Sequence, residues 1–367
     1  MDKIILDGHK LAWHQERVAA WLRGERIAPI TIDCALTRRC SYRCVYCYGM
    51  LQENDEKRMT KDVIFRFLDD AADIGVKAIS FVSDGESTCS PHLYNAIIRG
   101  KANGLDMALG TNGFLLRDDR LEDILPALTY LRFNISAGEA ERYAAIHGCK
   151  VEHFHKVINT IRESVKIKQR KGLAVTLGLQ IVLLPEFADQ IIPLTKLGKE
   201  SGVDYLVIKH CSDDETGSLG VDYTKYTNLV DILKEAEAYS DEKYLVRAKW
   251  SKIMSGGKRM YSRCYGPPFI TQFSGSGLVA PCGMLFNSKY KKYHIGNIAD
   301  TSFKKIWQSE RYWEIMSVIA SEKFDARIMC GSLCLQHKVN ECLWKLKHEN
   351  SLLEEHKSDP PMHVNFI

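Results

Sequence analysis

Short β-rich runs alternate with longer amphipathic runs from residue 28 to about residue 240, and this alternation limits what the chain can fold into. The predicted strands cover residues 29–35, 78–83, 106–110, 130–136, 174–183 and 204–209. The predicted helices cover residues 60–74, 91–102, 119–125, 152–171, 189–201 and 223–239. Six β–α units in series predict an α/β fold with a parallel sheet, and the pattern alone allows either a doubly wound sheet or a barrel.

Three cysteines, Cys40, Cys44 and Cys47, follow the first predicted strand with the spacing C-x3-C-x2-C. Three thiolates this close together can converge on one iron–sulfur cluster, and they leave one iron of a 4Fe-4S cluster without a protein ligand. Zinc sites usually show paired C-x2-C units or histidine partners, and three cysteines cannot all pair in one disulfide framework. The alternative is three unrelated buried cysteines. The spacing predicts a cluster with one open iron.

With Tyr46 directly before the last cysteine, this segment resembles the signature of the radical S-adenosylmethionine (SAM) superfamily. The resemblance implies a partial (β/α)6 barrel with its active site at the C-terminal mouth of the strands. In that family the three cysteines hold a 4Fe-4S cluster whose open iron chelates SAM. Reductive cleavage of SAM gives methionine and a 5′-deoxyadenosyl radical, which abstracts hydrogen from an unactivated carbon, while the protein places and shields the reactants.

The resemblance places a SAM-binding loop after the second predicted strand, at Asp84, Gly85 and Glu86. Family members carry a Gly-Gly-Glu-Pro-like loop there, which hydrogen-bonds the amino group of SAM. In this chain Asp84 replaces the first Gly and Ser87 replaces Pro. A glutamate suits an ammonium group because charge-assisted hydrogen bonds are the stronger kind. A plain turn is the alternative.

Further SAM-binding positions implied by the resemblance lie at the ends of the third, fourth and fifth predicted strands. They are Thr111, Asn112, Asn134, Ser136, Val182 and Leu183. Asparagine, serine and threonine offer donors and acceptors for the ribose and carboxylate of SAM, and the two apolar residues offer a surface for adenine. Turn, strand-end and core-strand roles are the alternatives.

Five cysteines follow residue 250 in an order that resembles the SPASM/Twitch extensions of radical SAM enzymes, which bind auxiliary iron–sulfur clusters. Five are too few for the two clusters of a full SPASM module, so we expect one auxiliary 4Fe-4S cluster. The resemblance assigns Cys264, Cys282, Cys330 and Cys334 as its ligands, with Cys342 as a substitute for either of the last two. A structural zinc ion held by the same four thiols is the alternative.

These assignments divide the chain into four parts. They are an N-terminal helical extension (1–27), a radical SAM barrel (28–245), an auxiliary cluster domain (246–345) and a tail (346–367). A break between the barrel and the auxiliary domain is expected at residues 240–249. Lys209 and His210 leave the sixth predicted strand at the barrel mouth, where such a pair can bind an anionic or hydroxylated substrate. An exposed polar loop is the alternative.

The resemblance implies an enzyme that oxidises a small, carbohydrate-like substrate, with flavodoxin or ferredoxin as a reducing partner. Fewer than 40 residues precede Cys40, which we expect to be too few for a leader-peptide-binding domain. A peptide-modifying maturase is the second interpretation. A non-catalytic iron–sulfur or electron-carrier protein is the third.

Composition narrows the setting in which the protein works. The net charge is only +4 over 367 residues, and no basic block predicts a nucleic-acid surface. The chain has no apolar run long enough to span a membrane and no signal-peptide core. Its 12 cysteines are too sparse for a disulfide scaffold. We expect a reduced, cytoplasmic setting without nucleic-acid or membrane partners.

Overall fold

The computed structural model describes residues 4–54, 57–349, 351–353 and 359–367. Seven strands follow one another in the first two thirds of the chain and pair in parallel with their neighbours. They are β1 (Thr31–Cys34), β2 (Ala78–Phe81), β3 (Asp106–Thr111), β4 (Leu128–Asn134), β5 (Thr176–Leu183), β6 (Tyr205–His210) and β7 (Leu245–Ala248). The six predicted strands all form, and their carboxyl ends meet at one edge.

Strand β7 corrects the prediction of a break at residues 240–249. Asp241 accepts hydrogen bonds from the backbone N–H groups of Lys243 (2.8 Å) and Tyr244 (3.0 Å), which makes a tight turn. The short run that follows, Leu245–Ala248, then pairs in parallel with β6. Turn residues this close to a four-residue strand conceal the strand in the sequence.

Helices cover the outer face of the barrel strands. They are α1 (Gln15–Leu22), α2 (Lys61–Asp73), α3 (Leu93–Ala102), α4 (Asp118–Ile124), α5 (Ala140–His147), α6 (Val151–Lys171), α7 (Ile191–Ser201), α8 (Val230–Glu237) and α9 (Trp250–Ile253). In α2, Thr60 caps the first turn by accepting from Val63 N–H at 3.4 Å, and the helix buries a stripe that includes Ile64 and Phe67. Helix α5 was not predicted. Among the described helices, none combines the length and apolar character that a transmembrane segment requires.

The auxiliary region joins the same sheet. Strands β8 (Ile270–Phe273), β9 (Leu278–Ala280) and β10 (Gly296–Asn297) give a ten-stranded order of β10-β9-β8-β1-β2-β3-β4-β5-β6-β7 among the described residues. Strand β8 pairs in parallel with β1, whereas β9 is antiparallel to both of its neighbours. Helices α10 (Phe303–Gln308), α11 (Glu310–Ile319) and α12 (His337–His348) complete this region. The hairpin is therefore an extension of the barrel sheet.

Residues 359–367 close the base of the barrel, at the amino ends of the strands. Phe366 is buried against side chains of β2, β3 and β4. Asn365 accepts a hydrogen bond from Thr31 Oγ1 (2.6 Å) through its carbonyl and donates one to Asp106 (2.8 Å) through its side chain. The sequence indicates no role for this segment. In the structure it covers the amino ends of the barrel strands.

Candidate functional site

A cavity of about 310 Å³ opens at the carboxyl ends of the barrel strands, and we call it the barrel cavity. The loop after β1 brings Cys40, Cys44 and Cys47 to its wall. Cys40 is exposed, and the other two are partly buried. Three thiols therefore face a space of the size that small-ligand sites occupy.

Two glycines fix the backbone that leads into the cysteine loop. A Cβ atom on Gly85 would lie 2.0 Å from the carbonyl oxygen of Thr37, and one on Gly275 would lie 2.1 Å from its carbonyl carbon. Only glycine permits approaches this close. The next residue, Arg38, donates to the carbonyl of Asn54 at 2.8 Å and so ties both ends of the loop together. The loop is held rigidly between the barrel and the β8–β9 turn.

Helix α5 supports the cysteine loop from the other side through His147. Ser136 N–H donates to His147 Nε2 at 3.0 Å, so the ring proton lies on Nδ1, which faces Cys44 Sγ at 3.2 Å. Burial lowers the pKa of His147 to about 3, and the ring is therefore neutral. Arg43 N–H also donates to the His147 carbonyl at 3.1 Å. Sequence reasoning missed this residue, because nothing in the sequence links it to a cysteine 103 positions away.

Glu86 is buried in the cavity wall, and both of its carboxylate oxygens accept hydrogen bonds from protein donors. It accepts hydrogen bonds from Thr88 N–H (3.0 Å), Thr88 Oγ1 (2.8 Å), Thr111 Oγ1 (2.8 Å) and Asn112 N–H (2.8 Å). The side chain thus joins the end of β2 to the end of β3. It orders the wall of the site as well as contributing to it.

Asp84 connects the same loop to the auxiliary hairpin. Its carboxylate accepts from Ser274 Oγ at 2.5 Å and from Gly275 N–H at 2.8 Å, and it lies 3.6 Å from Arg38 Nε. Burial raises the pKa of Asp84, and these three partners oppose the rise. Asp84 therefore secures the auxiliary hairpin against the loop that follows β2.

The structure divides the other predicted positions into two groups. Those that line the barrel cavity are Tyr46, Asp84, Gly85, Glu86, Asn112, Asn134, Val182 and Lys209. Those that lie behind its wall are Thr111, Ser136, Leu183 and His210. His210 points to the opposite face of β6, where its ring packs 5.5 Å from that of Tyr223. Of the Lys209–His210 pair, only Lys209 can reach a ligand in the cavity.

Several lining residues were not predicted. Asp33, Arg132, Gln180 and Gln272 project into the barrel cavity from β1, β4, β5 and β8. Arg132 could have been found, because parallel strands buried on both faces are usually continuous apolar runs. A charged residue inside such a strand indicates a polar interior.

Four cysteines of the auxiliary region surround one small cavity, which we call the auxiliary cavity. They are Cys264, Cys282, Cys330 and Cys334. Cys342 lies on α12 and packs in a separate apolar cluster. Cys334 also lines the barrel cavity, so the two cavities share a wall.

A buried guanidinium accompanies the auxiliary thiols. Arg259 donates to Cys330 Sγ at 3.5 Å and to the carbonyl of Ala326 at 2.8 Å, and it also bonds the carbonyls of Gly331 and Ser332. Burial alone would lower the pKa of Arg259, but the neighbouring thiol groups raise it. A permanent positive charge therefore faces the thiols.

Comparison with known proteins identifies the family. The radical SAM superfamily profile matches residues 35–195, and the profile of the SPASM iron–sulfur cluster-binding domain matches residues 264–335. The chain belongs to the radical SAM superfamily. Its cofactors are accordingly SAM, a SAM-binding 4Fe-4S cluster and an auxiliary 4Fe-4S cluster.

Curated relatives of this radical SAM protein act on different substrates. The tungsten-containing aldehyde ferredoxin oxidoreductase cofactor-modifying protein of Pyrococcus furiosus is 22% identical over 295 residues, covering 76% of this chain and 80% of that protein. The AdoMet-dependent heme synthase of Methanosarcina barkeri is 25% identical over 305 residues, covering 77% and 83%. Identities this low leave the substrate open.

Solved structures share the fold. Streptococcus suis SuiB bound to S-adenosylmethionine matches with a TM-score of 0.63 and 16% identity, covering 83% of this chain and 72% of that one. Native anSMEcpe with bound AdoMet matches with a TM-score of 0.57 and 17% identity, covering 84% and 90%. The radical SAM barrel and the SPASM region are therefore arranged here as in known enzymes.

The auxiliary thiols are a ligand set that an iron–sulfur cluster uses. In such a cluster each thiolate binds a different iron, so four cysteines supply the ligands of one 4Fe-4S cluster. The arrangement of four cysteines around one cavity therefore fits the auxiliary cluster.

Burial also determines the protonation state of these thiols. It raises the pKa of Cys40 to about 11 and that of Cys330 to about 11, and it raises the pKa values of Cys44 and Cys264 as well. These four thiols are neutral at pH 7 before cofactors bind. Because clusters bind thiolates, cluster assembly releases protons at both sites.

Proposed function

We propose that this radical SAM enzyme cleaves SAM reductively and oxidises a small, carbohydrate-like substrate held in the barrel cavity. One observation carries the proposal: Cys334 lines both the barrel cavity and the auxiliary cavity. A molecule in the barrel cavity thus lies between the thiols of the cysteine loop and the auxiliary thiols. This position suits a substrate that gives up a hydrogen atom on one side and an electron on the other.

We assign the two sets of cysteines to the two clusters. Cys40, Cys44 and Cys47 would hold the SAM-binding cluster, and Cys264, Cys282, Cys330 and Cys334 would hold the auxiliary one. When bound, these groups and SAM supply a 5′-deoxyadenosyl radical that takes hydrogen and an auxiliary centre that accepts an electron. A low-potential donor such as flavodoxin or ferredoxin would reduce the first cluster.

We assign the wall nearest the cysteine loop to SAM. The residues in contact would be Tyr46, Asp84, Gly85, Glu86, Asn112, Asn134 and Val182. Thr111 would act through Glu86, to which it donates at 2.8 Å. Ser136 would act through Val182 N–H, which donates to its hydroxyl at 3.2 Å. The close backbone contacts of Gly85 and Gly275 with Thr37 would keep this wall in place while ligands exchange.

The rest of the barrel cavity supports a small hydroxylated substrate. Amide groups of Gln180 and Gln272 face it, and Gln180 Nε2 donates to Asn134 Oδ1 of the SAM wall at 2.9 Å, which fixes the Gln180 side chain. Neutral amides offer both donors and acceptors, as a ring of hydroxyl groups requires.

The test is formation of 5′-deoxyadenosine from SAM by the full chain, reconstituted anaerobically with iron and sulfide and reduced with dithionite. Deuterated monosaccharides and aminocyclitols are then added singly. We expect at least one to raise turnover and to transfer deuterium into 5′-deoxyadenosine. The Cys342→Ala variant is the matched control, because that cysteine lies outside both cavities, and it should react like the wild type.

Two outcomes would contradict the proposal. Stimulation by short peptides and by no sugar would identify a peptide-modifying maturase instead. No 5′-deoxyadenosine from protein that contains its iron and sulfide, with any compound tested, would identify a non-catalytic iron–sulfur protein.

A further inference from the structure

Three charged side chains line the barrel cavity on the strands themselves, farther from the mouth than the cysteine loop. Asp33 lies on β1, Arg132 on β4 and Lys209 on β6. The interior of a parallel barrel is ordinarily filled by bulky apolar side chains. Here Gly110 carries no side chain, and a guanidinium nitrogen of Arg132 lies 3.6 Å from the position that its Cβ would take.

The acidic group that acts on both cations is Asp33, and it acts through its charge and not through a hydrogen bond to either of them. Among the described residues, none forms a hydrogen bond or an ion pair with Lys209 or Arg132, and Arg132 Nε is buried without a partner. The Arg132 guanidinium does lie 5.7 Å from the ring of Tyr130. The other acidic groups of the wall are already engaged, Asp84 by Ser274 and Glu86 by Thr111.

Unpaired charges in an enclosed cavity are costly, because they lose hydration without gaining a counter-ion. Burial, with Arg132 nearby, lowers the pKa of Lys209 to about 7. Burial also raises the pKa of Asp33 to about 7. The buried guanidinium of Arg132 thus lacks a hydrogen-bond acceptor in a cavity that it shares with Lys209. Strongly shifted groups that converge on a cavity mark candidate ligand sites.

We propose that Arg132 and Lys209 bind an anionic group of the substrate, a carboxylate or a phosphate, at the inner end of the barrel cavity. This inference rests on the proposed function and names the chemical class of its substrate. A guanidinium offers two parallel N–H donors to such an oxyanion, and an ammonium adds a point charge.

The strand between the two cations shapes the subsite. Lys209 is opposite Val182 in the sheet register, and Arg132 is opposite Gly178 on the same strand, β5. A Cβ atom on Gly178 would lie 2.0 Å from the Tyr205 ring, so no side chain can project there. The Tyr205 ring therefore fills the space beside Gly178, and an oxyanion would reach the two cations from the open side of the barrel cavity.

The experiment measures anion binding without turnover. Full-chain protein, loaded with iron and sulfide and reduced, is titrated with inorganic phosphate and separately with 13C-labelled acetate, and saturating SAM is added last. Broadening of the 31P or 13C signal by the paramagnetic cluster reports binding near it. We expect the signal of at least one anion to broaden. The anion that binds more tightly indicates whether the substrate carries a phosphate or a carboxylate.

Variants locate the anion. Arg132→Gln and Lys209→Gln should each weaken binding by about tenfold or more, because a charge-assisted contact is lost. Arg247→Gln is the matched control: it replaces an exposed arginine on β7 that pairs with Glu237, and it should bind like the wild type. Removal of an unpaired buried cation should also leave the melting temperature unchanged or raise it.

Three outcomes would overturn the inference. They are no broadening by either anion, equal binding by Arg132→Gln, and loss of the effect once SAM is present, which would assign the cations to the carboxylate of SAM. None of these depends on 5′-deoxyadenosine formation. Failure of the anion site is therefore distinguishable from failure of the proposed catalytic function.

Discussion

The two cysteine sites are built in opposite ways. The SAM-side thiols come from one loop, Cys40 to Cys47, and face the barrel cavity with Cys40 exposed. The auxiliary thiols come from distant parts of residues 264–334, and a buried guanidinium, Arg259, lies against them. The first site is local and open, whereas the second is assembled by the fold and enclosed.

The difference shows what each site requires. Under the proposed assignment, the open site must leave room for a ligand on one iron, and its thiols are carried by a loop that Gly85, Gly275 and His147 support from behind. An enclosed site binds no ligand of its own, so its wall can be completed by protein groups and by a fixed countercharge. The following changes should separate the two designs.

The largest effect is expected from replacing all three loop cysteines by alanine. SAM cleavage should fall to background, because no other described thiols line the barrel cavity except Cys334. The auxiliary iron should remain, since its four thiols are untouched. Iron and sulfide analysis beside a 5′-deoxyadenosine assay checks both points. A variant without iron would show that the two sites do not assemble independently.

Arg259→Met should come next, with a loss of about 3 kcal/mol in the free energy of unfolding, because a buried charge network is broken. Loss of auxiliary iron should accompany it. Arg327→Met is the control from the same region, where an exposed arginine pairs with Asp325, and its cost should be below about 0.5 kcal/mol. Denaturant unfolding under anaerobic conditions measures both. Equal losses of unfolding free energy in the two variants would show that the Arg259 guanidinium does not stabilise the auxiliary site.

Gly85→Ala should cost about 2 kcal/mol and displace the cysteine loop, because the new Cβ would meet the Thr37 carbonyl at 2.0 Å. SAM affinity should fall with it. Gly296→Ala, whose new Cβ would have its nearest neighbour at an ordinary 3.4 Å, is the control and should bind SAM normally. Normal SAM binding by Gly85→Ala would show that the close contact between Gly85 and Thr37 is not needed for SAM binding.

The smallest effect is expected from His147→Phe. It removes the N–H that faces Cys44 Sγ at 3.2 Å, and hydrogen bonds to cluster sulfurs influence the reduction potential. The potential of the SAM-side cluster should become more negative, while that of the auxiliary cluster should not change. His147→Gln, which keeps a donor, should restore part of the shift. EPR-monitored redox titration measures both clusters, and equal shifts in the two would contradict the assignment.

The barrel could be predicted from the sequence because its signals are local. The six predicted strands form, and the C-x3-C-x2-C spacing places three thiols on one wall. The pairing of β8 with β1 could not be predicted, since it joins segments about 240 residues apart. The contacts of His147 with Cys44 and of Arg259 with Cys330 could not be predicted for the same reason, because each joins residues that are far apart in the sequence.

The alternation of side chains along a strand explains why only one of two adjacent predicted residues lines the barrel cavity. Successive side chains point to opposite faces, so Lys209 faces the barrel cavity and His210 does not. Val182 and Leu183 divide in the same way. The sequence patterns predicted the correct strand ends. Which residue of each adjacent pair faces the cavity depends on the pairing register, and that register is set by the whole sheet.

The closed base of the barrel has a kinetic consequence. Phe366 and Asn365 cover the amino ends of the strands, so ligands must pass the cysteine loop in both directions. Whatever binds nearest the base must then enter first and depart last. Steady-state rates should follow a compulsory order, in which the deepest product stays trapped until the fragments of SAM have left.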